Sequence, residues 1–239
     1  MDTDGDGVGD RCYVTPVRLQ YSAVAEAMVK EALEDNDAGM ILLARILLGG
    51  VFAGHPESVA VLFTAAACML ASMNDIAAPS VSLEGKALWL VKSMPVSTAD
   101  VLKAKLVVQL VLTLPALAFV YACGASLLRE NGALLLLLGG CTALGYGLLS
   151  ALFGLFLGLK MPMLDWTTET IPIKQSMGVT IALFGGWGYA LALGGGYLLL
   201  ANFVPATVYL GVFLALTLTA AALLYRWIAT KGVLAFDTL

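Results

Sequence analysis

The chain has 239 residues, of which 60% are hydrophobic and only 13% charged, with a formal net charge of −4 at pH 7. Soluble domains carry about 25% charged residues, so a globule with a polar skin is excluded and lipid must cover the surface instead. Nothing resembles the basic face of a nucleic-acid-binding protein.

The charge is unevenly placed. Nine of the 17 acidic residues fall between Asp2 and Asp37, and the rest of the chain is mildly basic. This divides the chain into an acidic segment, 1–37, whose composition favours poor order, and a membrane body, 38–239. In the acidic segment Asp2, Asp4 and Asp6 stand at alternate positions and Asp10 follows, with Gly5, Gly7 and Gly9 at the bends. Calcium loops need oxygen ligands converging from a tightly turned backbone, so these four are candidate calcium ligands. The twelfth position counted from Asp2 is Tyr13, where an EF-hand needs a bidentate Glu. The run looks more like a single thrombospondin type 3 repeat, and a disordered acidic tail accounts for it equally. Residues 21–33 are alanine-rich and helix-forming by propensity, which suits a helix lying in the interface.

A helix needs about 20 apolar residues to cross a bilayer. The first apolar run, Ala38–Gly54, is short and carries Arg45. It reads as a membrane helix whose arginine snorkels or faces protein, or as a helix in the interface. Five runs are long enough: Ser58–Ala78, Leu106–Leu128, Ala133–Leu159, Gly178–Ala201 and Ala206–Ile228. The expected fold is therefore an all-α polytopic bundle of five or six transmembrane helices. Pro115 should kink its helix. Six glycines between Gly185 and Gly196 suit close helix packing or a mobile helix.

Cytoplasmic loops carry the excess of Lys and Arg. Lys86, Lys92, Lys103, Lys105, Lys160, Lys174, Arg226 and Lys231 fall on one side, and only Arg129 on the other. This assigns loops 79–105 and 160–177, and both termini, to the cytoplasm of an inner membrane. The opposite connections, near Arg129–Gly132 and Asn202–Pro205, are short.

Residues 79–105 carry the most information. Leu83, Ala87, Leu90 and Val91 share one helical face, with Gly85 and Lys92 roughly opposite. Ser82 is placed to cap this helix and Pro95 to end it. Ser97 and Asp100 then form a capping box for the next helix. A short amphipathic surface helix anchored by Trp89 and a docking element for another protein are both compatible with this pattern.

The string from Ser82 through Glu84, Gly85 and Lys86, then Trp89, Lys92, Pro95, Ser97, Ala104 and Lys105, resembles the signature between the second and third helices of type 2 ATP-binding-cassette (ABC) export permeases. A second string, Leu164, Asp165, Trp166 and Glu169, then Ile173, Lys174, Gln175 and Ser176, is similar to the next cytoplasmic stretch of one longer bacterial and archaeal branch, in its C-terminal half. The resemblance covers residues 40–239. It implies six-helix units that pair as homo- or heterodimers. It also implies a coupling helix that docks on a separate ABC ATPase subunit. On that resemblance Glu84, Gly85, Lys86, Lys92 and Pro95 contact the ATPase.

No GxxxxGK[ST] loop occurs, so ATP bound by a partner is the expected energy source and this chain is not expected to be an enzyme. No Ser/His/Asp set or HExxH motif appears, and the only histidine is His55. Cys12, Cys68, Cys123 and Cys141 form no CxxC pair, so no zinc site is indicated. Asp75 reads as interfacial, beside Asn74, at the end of its helix. Gln109, Thr113, Thr142 and Ser150 are candidates to face a transport cavity. A secondary carrier or channel and a non-transport scaffold are the alternative functions.

Overall fold

The computed structural model describes residues 57–238, apart from 94, 129–131, 165, 168–171, 174 and 175. The candidate calcium ligands Asp2, Asp4, Asp6 and Asp10, the run Ala38–Gly54 and His55 lie outside the described residues, as do Asp165, Glu169, Lys174 and Gln175.

All regular structure among the described residues is helical: α1 (Glu57–Ser72), α2 (Ala77–Ser80), a 3-10 turn (Ser82–Ala87), α3 (Leu88–Ser93), α4 (Thr98–Leu127), α5 (Ala133–Lys160), α6 (Met177–Leu200), α7 (Ala206–Trp227), a π turn (Ile228–Gly232) and α8 (Val233–Asp237). Among the described residues, five segments are long and apolar enough to cross a membrane: Glu57–Gly85, Thr98–Gly124, Ala133–Lys160, Met177–Leu200 and Ala206–Asp237. The chain is an all-α polytopic membrane bundle, as its composition requires. Large apolar side chains such as Phe119, Leu137, Leu199 and Leu216 point outward, where only lipid or another apolar surface can meet them.

Helix α5 is the centre of the bundle, packed against α1, α2, α4, α6 and α7. Glycine lets it be central. A methyl group on Gly139 would overlap Thr64 and the Tyr121 hydroxyl, and one on Gly158 would overlap the Ala78 carbonyl. The glycines of α6 divide in use. Gly186 fits against Ser72 and Tyr146, and Gly194 against Ala65, whereas Gly188 and Gly195 meet nothing within 4 Å. Close packing therefore accounts for only part of that stripe. Helix α4 runs unbroken through Pro115.

The first span departs from the expected continuous helix. Helix α1 stops at Ser72, the chain unwinds over Met73–Ile76, and α2 resumes at Ala77. Unwound backbone at membrane depth survives only where protein or trapped water satisfies it. Here Gln109 of α4, fully buried, does so. Its Oε1 accepts the Ile76 N–H at 2.7 Å. Its Nε2 donates to the Asn74 carbonyl and, at 3.2 Å, to Thr113 Oγ1. The Asn74 side-chain amide also donates to Thr113 Oγ1, at 3.4 Å. Gln109 and Thr113 thus hold the break, Thr113 also lining a small cavity of about 150 Å³ beside Asn74, and Thr142 bonds within its own helix to the Leu138 carbonyl.

The two ends of the bundle are tied differently. At one, Glu57 Oε2 accepts the Ala206 N–H at 3.1 Å and so supplies the first turn of α7 with the cap that Pro205 cannot give. The other end gathers residues 82–97, residues 161–166 and α8, and it is far more elaborate.

Candidate functional site

The segment Ser82–Pro95 is not one amphipathic helix. Its first half is a 3-10 turn that breaks at Gly85 (φ 41°, ψ −119°), and an α-helix restarts at Leu88. Left-handed backbone of this kind strains any residue with a Cβ. The glycine has a second reason: a Cβ there would lie 2.7 Å from Trp166 Nε1. Because of the break, the expected apolar face divides. Leu83 is half-buried, while Leu90 is exposed.

Ser82 does not cap a helix. Its Oγ accepts the Met163 N–H at 3.0 Å, and its carbonyl accepts the Trp166 indole N–H at 2.7 Å. The two strings singled out in the sequence, 82–86 and 164–166, are therefore clasped together although about 80 residues separate them. The indole seals Gly85, and Ser82 satisfies the loop backbone.

Two charged candidates, Glu84 and Lys92, are engaged within the chain. Glu84 Oε1 pairs with Lys105 Nζ at 2.6 Å, with side chains only 18% and 13% exposed. Lys105 also donates to the Ser80 carbonyl at 2.8 Å. The second carboxylate oxygen of Glu84 is buried with no partner among the described residues. Lys92 Nζ donates to the Asp237 carbonyl at 3.0 Å, and the Asp237 carboxylate accepts from Thr98 Oγ1 at 2.6 Å. The C-terminal helix α8 thereby grips both α3 and the start of α4. Gly85 is buried beneath Trp166, and Pro95 is exposed in the bend before α4. The Lys86 backbone belongs to the 3-10 turn.

Ser97 and Asp100 form the expected cap. Ser97 Oγ receives the Asp100 N–H at 3.3 Å and donates to Asp100 Oδ2 at 2.6 Å. Outward from this pinned base stand Trp89, 69% exposed, Leu90, Pro95 and Val96. The arrangement is a rigid, multiply bonded knuckle with an apolar crown. Lys105 and Trp166 lie in the two strings singled out by resemblance and Asp237 in neither, but no local pattern in the sequence identifies their pairing, because each pairs with a residue at least 21 positions away.

No family model matches this chain, and no curated protein or solved structure is detectably similar to it.

Proposed function

We propose that this chain is the membrane-spanning permease subunit of an ATP-driven ABC exporter, with a separate ATPase docking on Ser82–Pro95. The observation that carries the reading is the wiring of that segment. Its crown of Trp89, Leu90, Pro95 and Val96 is exposed, while its base is bonded to loop 161–166, to α4 through Lys105, and to α8 through Lys92. A partner that pushes the crown must move three other parts of the bundle. An exposed tryptophan flanked by aliphatic residues is also the composition of an interface anchor. The eight-to-one Lys and Arg bias supports a cytoplasmic position for this end, with ATP on the partner chain and a second permease unit completing the pathway.

The test is co-purification from membranes with an ABC ATPase encoded in the same genome. Trp89→Glu and Val96→Asp alter only the crown, and each should cut ATPase capture about tenfold or more while leaving thermal stability unchanged. Failure of the unaltered, membrane-inserted chain to bind any such ATPase would remove ATP coupling. Glu84→Lys is a poorer probe, because it breaks the internal pair with Lys105.

One observation favours a secondary carrier instead: the carboxylate of Asp75 at the break in the first span. Carriers place ionisable groups at unwound helices in mid-membrane. Flux driven by a proton or sodium gradient without ATP would establish that reading.

A further inference from the structure

Asp75 lies in the unwound stretch between α1 and α2. It sits at the break, half-buried, against Gly154 of α5, where a methyl group would overlap its carboxylate. Gly154 is six residues inside the Lys160 end of α5, about 9 Å along the helix axis. The Asp75 Oδ1 accepts the Ala78 N–H at 3.1 Å. No lysine or arginine among the described residues pairs with the carboxylate. A carboxylate packed inside an apolar bundle without a cation is costly, and such groups mark ion or substrate paths.

The carboxylate lines a cavity of about 330 Å³ between α1, α5, α6 and α7, and none of the lining residues is basic. The volume is that of a small-molecule site. Its walls are Leu149, Phe153, Ala182, Ala220 and Leu224, with Ser72, Asn74 and Ser150 supplying polar atoms near Asp75. The rings of Tyr146 and Tyr189, 4.6 Å apart, form an aromatic flank. A metal cation needs an enclosing shell of oxygens, whereas most of this lining is carbon. A carboxylate set among aromatic and aliphatic walls suits an organic cation, whose charge meets Asp75 and whose body meets the carbon lining.

We propose that the cavity beside the α1–α2 break is a binding site for a small organic cation, an amine or quaternary ammonium with an apolar body, and that Asp75 is its counter-ion. The site does not depend on what drives transport, because binding needs neither an ATPase nor a gradient.

The test is equilibrium binding of radiolabelled benzyltrimethylammonium to the full chain in nanodiscs of zwitterionic lipid. Saturable binding is expected, with neopentylbenzene, the neutral carbon isostere, competing at least about tenfold more weakly. Asp75→Asn keeps an oxygen for the Ala78 N–H and should weaken binding about tenfold or more. Ala220→Phe fills the cavity without touching Asp75 and should do the same, so a misfolded Asp75 variant would not leave the site untested. Absence of saturable binding to the folded protein would overturn the proposal. So would loss with Ala220→Phe but not with Asp75→Asn, which would make the cavity a neutral apolar pocket. Displacement of the probe by sodium ions as effectively as by unlabelled organic cation would reassign the site to a metal ion and also overturn it.

Discussion

The first span and helix α5 cross the same bundle on opposite terms. Helix α5 is 28 residues without interruption, and its buried Thr142 bonds only to its own backbone. The first span is broken over Met73–Ile76 and depends on a side chain from another helix, Gln109, for two backbone bonds. Both are apolar enough to pass as one continuous membrane helix. Hydropathy therefore does not decide where a membrane helix breaks. What decides is whether a neighbour can satisfy the freed N–H and C=O groups.

The sharpest way to break this comparison is Gln109→Leu. It leaves the Ile76 N–H and the Asn74 carbonyl without partners, and we expect a loss of about 3 kcal/mol, measured by unfolding in mixed detergent micelles. Thr142→Ala in α5 removes a bond within one helix and should cost less than about 1 kcal/mol. Equal losses would erase the distinction between the two spans.

A smaller effect is expected where the first span leaves the membrane. Glu84→Gln removes one charge of a mostly buried pair and should cost about 2 kcal/mol. The double exchange Glu84→Lys with Lys105→Glu should recover more than half of what Glu84→Lys alone loses, read by the same unfolding assay. No recovery would mean that Glu84 acts outside the chain. Gly85→Ala should cost about 1–2 kcal/mol through its left-handed backbone and the overlap with Trp166. Ser97→Ala should cost about 1 kcal/mol for a lost helix cap, measured as a fall in Tm of the purified protein.

The sequence made the bundle legible because length and hydropathy of a span are local properties. The boundaries of α5, α6 and α7 lie within a residue of the apolar runs, and the Ser97–Asp100 cap was readable from spacing alone. The break at Met73–Ile76 was hidden because its cause, Gln109, sits 33 residues away from Ile76 on another helix. For the same reason the sequence offers Glu84 and Lys92 only as contacts for a partner chain. Their partners, Lys105 and the carbonyl of Asp237, come from elsewhere in the fold. The glycine of the 82–86 string was noticed, but the need for it arises only when Trp166 is laid against it.

The central claim is that the crown of the knuckle meets an ATPase in the cytoplasm. Its most direct test is maleimide labelling of Trp89→Cys, with the native cysteines replaced, in sealed vesicles of known orientation. The account expects labelling only from the cytoplasmic face, and protection when the ABC ATPase is bound. Labelling from the opposite face, or unchanged labelling in the presence of a bound ATPase, would contradict it.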